Sequence, residues 1–304
     1  MTYEQIEQNI KESINDEFRT VDVEIDPNKT IHEFFLAYIN WRSRFLKRTP
    51  RKVFYSKEIK QNVDFNKFKK VIEKIEYKIK NGDNLDSFLS TGVIHAPYKE
   101  NGTSKGADKD NYLNAFKIHH LHLGEKYTAP KKGISFVGRH NELLYIMCKS
   151  DRVYFLDISP HNFGNIEVFK VIQNNWNEIL APFEMKGILG IDQEITDSDN
   201  IKELLQAGVN TIVPVNGKYY APGFLTTSGH NGDMVQNIQR IIDFLQKLPM
   251  YLELTKEYEV VVKEGLLFIN NKTDDETIWF DGQFNSTKER GECVPQMQIF
   301  DFNS

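Results

Sequence analysis

Apolar positions recur at helical spacing through the first eighty residues and at alternating spacing in the middle of the chain. Residues 1–17 carry a modest apolar stripe and predict a helix. Residues 26–30 form a loop. Thr30 is placed to cap a second helix from 31 to about 47, on which Phe34, Phe35, Tyr38, Ile39, Trp41 and Phe45 make a broad apolar face. That width marks the aromatics as core. A third helix, from 65 to about 80, carries Phe68, Val71, Ile72, Ile75 and Ile79, and Asn81-Gly82 stops it. Residues 88–92 are a short element. Residues 97–111 are polar, with Gly and Lys, and read as a linker or flap.

The pattern then changes period. Residues 115–124, Ala-Phe-Lys-Ile-His-His-Leu-His-Leu-Gly, alternate as a strand does. Ile118, His120 and His122 share one face, and His119, Leu121 and Leu123 share the other. A bulge near Gly124 would reverse that parity and give His119 the functional role. Two apolar runs, 137–148 and 153–158, flank the charged turn 149–152 and read as a hairpin. Three consecutive strands thus predict an antiparallel meander. A helix over 164–180 follows, with Ile166, Phe169, Ile172 and Trp176 inside, and then a strand-like segment at 185–191. A helix at 199–207 ends at Gly208. A hairpin turns at Asn216-Gly217, a helix spans about 233–248, and strand runs lie near 257–270 and 277–280. The last fifteen residues look loosely held.

These elements predict an α+β chain. Its expected parts are a helical N-terminal region (1–96), a linker or flap (97–111), a histidine-rich antiparallel sheet with a helix (112–182) and a C-terminal α/β region (183–304).

Composition narrows the class. The 304 residues are 40% hydrophobic and 27% charged, ordinary for a globular protein. No apolar run approaches a membrane span, so no membrane partner is expected. The first residues, Met-Thr-Tyr-Glu-Gln, lack the pattern of a secretory signal. Cys148 and Cys293 are far apart without metal-ligand spacing, which fits a reducing, cytoplasmic setting. Cys148 alternates within an apolar strand and reads as an inert core thiol. A net charge of −5 makes no global case for nucleic acid. Locally, Arg42, Arg44, Lys47, Arg48, Arg51, Lys52, Lys57 and Lys60 surround Phe45, Phe54 and Tyr55. That window is either a phosphate-facing patch with stacking aromatics or the solvated end of a helix followed by a loop.

The candidate chemistry centres on the histidine strand. Three of the eight histidines lie within four residues. An imidazole titrates near neutral pH, can donate or accept a proton, and can ligate a metal. Arg139 stands at the mouth of the second strand, and His161 follows the third. His120 and His122 with a carboxylate or His161 could hold a metal. No His-Glu-x-x-His or cysteine pair supports that, so neither metal nor cofactor is expected. A second candidate is the hydroxyl- and glycine-rich loop 221–233 before a helix. There Thr226, Thr227, Ser228 and Gly229 either bind a phosphate or simply cap the helix. It has neither P-loop nor Gly-x-Gly-x-x-Gly order, and no Gly-x-Ser-x-Gly elbow supports a serine hydrolase.

Two histidines with Arg or Lys suffice for metal-independent RNA cleavage. There the ribose 2′-OH attacks the adjacent phosphate, and a base, an acid and cations serve the transition state. The segment 139–161, with Arg139, Glu-Leu-Leu-Tyr-Ile, Asp-Arg-Val-Tyr-Phe-Leu-Asp-Ile and His161, is similar to the core of the RelE/barnase-like ribonuclease toxins. The resemblance covers about 115–175. It implies antiparallel strands, an RNA endonuclease and a toxin–antitoxin or phage-defence setting, with an antitoxin or regulatory partner. The expected roles are His122 as general base, His161 as general acid, and Arg139 with Lys117 as phosphate clamps, His120 lying beside them. The alternatives are a non-catalytic module that senses a nucleotide or nucleic acid, and a histidine-ligated metal-dependent phosphoesterase.

Overall fold

The computed structural model describes residues 1–21, 23–94, 110–160, 166–188, 190, 197–221, 223–263 and 265–280. In chain order the elements are α1 (Tyr3–Arg19), α2 (Ile31–Arg42), β1 (Lys52–Tyr55), α3 (Lys57–Gln61), α4 (Phe65–Asn81) and α5 (Asn111–Phe116). There follow β2 (Ile118–His122), β3 (Glu142–Cys148), β4 (Arg152–Pro160), α6 (Glu167–Leu180), α7 (Ser198–Gln206), β5 (Val213–Val215) and β6 (Lys218–Tyr220). The last are α8 (Gly232–Lys247), β7 (Tyr258–Lys263), β8 (Leu266–Asn271) and β9 (Glu276–Phe280). The fold is α+β. No described helix is long and apolar enough to cross a membrane.

The chain folds as two compact units. Among the described residues, one holds 1–43 and the chain from 233 to 280, and the other holds 44–94 and the chain from 110 to 232. In the first unit, Thr2 and Thr30 each close a capping box, with Gln5 and Glu33 as partners, which fixes the starts of α1 and α2. The apolar stripe of α1, with Ile6, Ile10, Ile14 and Phe18, is fully buried. Phe18 lies 5.0 Å from Trp41, and α1 packs on β7. The Tyr38 hydroxyl donates to the Glu17 carboxylate at 2.9 Å and accepts from the Gly265 N–H at 2.8 Å. The 257–270 run is two strands. It turns back at Gly265, whose φ of 80° suits glycine.

The second unit is built on a four-stranded sheet in the order β1-β4-β3-β2. The expected meander is its antiparallel part, β2-β3-β4. The fourth strand, β1, runs parallel to β4 and comes from the basic window, for which the sequence offers a phosphate-facing patch or a helix end followed by a loop. Within that window Arg44 and Arg51 are buried, while the outer side chains of β1 stay exposed. One face of the sheet packs on α4, where Tyr55 meets the Phe65 ring and its hydroxyl donates to Glu76 at 2.7 Å. The other face packs on α5 and α6: Phe116 lies 4.9 Å from Phe169, and Tyr154 lies 4.7 Å from Trp176. β4 carries one extra residue, so Tyr145 pairs with Asp157 while Ile146 pairs with Phe155. Asn62 closes that irregularity by donating to Asp157 and to the Ile158 carbonyl.

Several expectations shift. The strand read from 115 begins at Ile118, because Ala115 and Phe116 are the last turn of α5. The second helix stops at Arg42 rather than near 47. Residues 185–188 form a turn rather than a strand. The Asn216-Gly217 hairpin forms, with φ of 48° and 76° at its two turn residues. His161, residues 97–109 of the flap, Cys293 and the last fifteen residues lie outside the described residues.

Candidate functional site

α5 is one and a half turns long, so its position depends on its ends. Asp110 caps it: one carboxylate oxygen accepts from the Leu113 N–H at 2.9 Å. Lys117 closes it in the left-handed region, with φ of 57°, and turns the chain directly into β2. Asp110 and β2 are thereby brought side by side. The second Asp110 oxygen is 3.7 Å from His120 Nδ1.

Strand parity then sorts the histidines. His120 pairs with Tyr145 and His122 with Leu143, both on the α5 and α6 face. Their ring centroids are 6.2 Å apart, with planes at 76°. His120 is 7% exposed and His122 6%. His119 faces the opposite way, beside Ile146. Burial lowers its pKa to about 4, the Asp110 carboxylate opposing in part, so the ring is neutral. The floor beside the pair is aromatic. Tyr112 is fully buried, 6.1 Å from the Tyr145 ring, and burial raises its phenol well above the ordinary value. Tyr145 also pairs with Asp157, which places the Asp157 backbone two strands from that of His120, about 10 Å away. Burial raises Asp157, although its bond from Asn62 opposes.

The hydroxyl-rich loop docks on α5 through two reciprocal bonds. The Asn114 side chain donates to the Gly229 carbonyl at 3.0 Å, and the Asn231 side chain donates to the Asn114 carbonyl at 2.8 Å. Gly223 lies so close to the Ala115 carbonyl that a Cβ there would stand 1.5 Å from its oxygen. Within the loop, the Thr226 and Ser228 hydroxyls are 2.9 Å apart, and Ser228 Oγ is 2.9 Å from His230 Nδ1. The Thr226, Gly229 and His230 N–H groups are all engaged inside the turn. Thr226, Ser228 and Gly229 therefore build a self-bonded turn, and Thr227 is exposed beside it.

The sequence-derived set divides as follows. His120 and His122 come together, and Lys117 sits half-buried at the start of their strand. Arg139 is exposed at the end of the sheet where Gly138 abuts Gly124, and its guanidinium bonds the Thr91 hydroxyl. Asp110, Asn114 and His230 were not singled out from sequence. The Asp-Asn-Tyr-Leu run is a cap signal for Asp110. The Ser-Gly-His spacing marks His230. Among the described residues, no three His, Cys, Asp or Glu side chains come together in a way that could hold a metal ion.

Asn114 is 1% exposed, and its replacement would leave the Gly229 carbonyl without that donor. Asn114→Ala is expected to cost about 1–3 kcal/mol. Urea denaturation checks this, and the Asn114→Ala/Asn231→Ala double variant should lose less than the sum of the singles.

Comparison with protein-family models, curated proteins and solved structures returned no match to this chain.

Proposed function

We propose that this chain is a metal-independent RNA endonuclease whose acid–base pair is His120 and His122. The observation that carries the reading is the two imidazoles on one sheet face, 6.2 Å apart, with the Asp110 carboxylate 3.7 Å from one of them. An acid and a base must each lie within about 2.6–3.2 Å of the atoms they serve. Two rings at this separation can reach one phosphodiester. His122 takes the proton of the ribose 2′-OH as that oxygen attacks phosphorus. The 5′-oxygen leaves with a proton from the other imidazole. The products are a 2′,3′-cyclic phosphate and a 5′-hydroxyl. From sequence the acid is His161; the ring with a carboxylate beside it is His120, so the acid role is assigned there. Lys117 and Arg139 are the cations for the phosphorane charge. Burial of both rings strengthens their interaction with a charged phosphate.

The resemblance to RelE/barnase-like toxins supports the same reaction class, and with it a toxin or phage-defence role in the cytoplasm with a regulatory protein partner. The phosphoesterase alternative needs a third ligand beside His120 and His122, and its candidate His161 lies outside the described residues.

Incubation of the protein with total RNA, with and without EDTA, tests the reading. Cleavage that survives chelation supports it. Cleavage lost to EDTA and restored by Zn²⁺ or Mn²⁺ replaces it with the metal-dependent enzyme. No cleavage, with thermal stabilisation by a nucleotide, replaces it with the sensing module.

A further inference from the structure

The α4 face of the sheet, opposite the histidine pair, holds a buried cation. Arg51 immediately precedes β1, and its parity with Val53 and Tyr55 puts it on that face. Its N–H bonds the Ile79 carbonyl at 3.1 Å, in the last turn of α4, and Pro50 packs against Gly82. The backbone is thus pinned where β1 meets the end of α4. The residue is only 5% exposed, yet Nε and Nη2 have no hydrogen-bond acceptor among the described residues.

Arg51 acts electrostatically on two buried groups, His119 and Cys148. Neither offers a negative charge. The His119 ring is neutral, with its pKa lowered to about 4 by burial, and burial pushes the Cys148 thiol up to about 12. A guanidinium carries its charge at any pH a protein ordinarily meets. An isolated buried charge is among the costliest arrangements in a protein interior, and buried arginines are normally paired with an anion. The Nε–Nη2 edge is also a flat two-donor fork, which matches two oxygens of a carboxylate, sulfate or phosphate.

We propose that Arg51 is the receptor for a small oxyanion, bound through its Nε–Nη2 edge on the α4 face of the sheet. The two-donor edge is matched by two oxygens of a single group, which a small anion supplies. The site is separate from the His120 and His122 pair, which projects from the other face.

The test is thermal unfolding of the full chain at pH 7.5 in phosphate, sulfate or acetate, against chloride at matched ionic strength. The melting temperature should rise saturably with at least one oxyanion and stay flat with chloride. Arg51→Met should abolish the response and melt higher than the parent in chloride, because an uncompensated buried charge is gone. Arg51→Lys keeps a charge but loses the fork; it should need about tenfold more anion, and it serves if Arg51→Met is insoluble. His122→Ala should respond as the parent does, which separates this site from the proposed catalytic one. An unchanged response in Arg51→Met or Arg51→Lys overturns the proposal. So does a parent that responds no differently to oxyanion and chloride, since water would then fill the site.

Discussion

Replacing either imidazole of the pair should reduce RNA cleavage at least about 100-fold, the lower end of what a positioned acid or base contributes. His120→Ala and His122→Ala each remove one of two groups that act in a single step, so the double variant should be little slower than either single one. RNA binding should be nearly unchanged in both, because positioning of the backbone falls to cations such as Lys117 and Arg139. Arg139→Ala should weaken binding and rate together. Single-turnover cleavage beside filter binding separates these outcomes. His120→Ala or His122→Ala cleaving at the parent rate would remove the pair from the mechanism. Asp110→Asn gives a graded check. It keeps a capping oxygen for Leu113 and removes the carboxylate charge 3.7 Å from His120, so the rate should fall while α5 stays in place.

The second large effect is on stability. His119 has a folded pKa of about 4 against 6.5 for the free group, because burial disfavours the charged ring. Below pH 6.5 the unfolded chain binds a proton that the folded chain refuses. Stability therefore falls as pH drops from 6.5 towards 4 and levels off below that. The loss attributable to this one group is on the order of 3 kcal/mol across that window. His119→Leu removes the group and should flatten the curve by that amount. Carboxylates titrating in the same range affect parent and variant alike, so the difference between the two isolates the imidazole. Urea midpoints measured from pH 7 to pH 4 decide it: parallel curves for parent and variant would contradict the assignment.

The elements that could be read from sequence are those whose signal is local. The alternation over 118–122 fixed the parity of His120 and His122, because a strand has no freedom to change it without a bulge. Thr30, Gly82 and Asn216-Gly217 marked ends and turns through their own side chains or backbone freedom. What escaped depends on contacts between distant segments. α5 has six residues, too few for a helical period, so Ala115 and Phe116 were absorbed into the strand. β1 reads as a basic window because its partner, β4, lies 100 residues later, and two of the window's arginines turn inward. Asp110 shows in sequence only as a helix cap. Its nearness to His120 follows from Lys117 adopting a left-handed backbone, which few lysines do. The hydroxyls of Thr226 and Ser228 had two uses in prospect, and the structure engages both within their own turn.

The most direct measurement is the chemistry of the cut ends. A short single-stranded RNA, and the same strand with every 2′-hydroxyl replaced by hydrogen, are incubated with the protein in EDTA and the products are weighed by mass spectrometry. Attack by the 2′-oxygen predicts 2′,3′-cyclic phosphate and 5′-hydroxyl ends from the RNA and an intact deoxy strand. Cleavage of the deoxy strand, 5′-phosphate ends, or no cleavage of either strand would contradict the account.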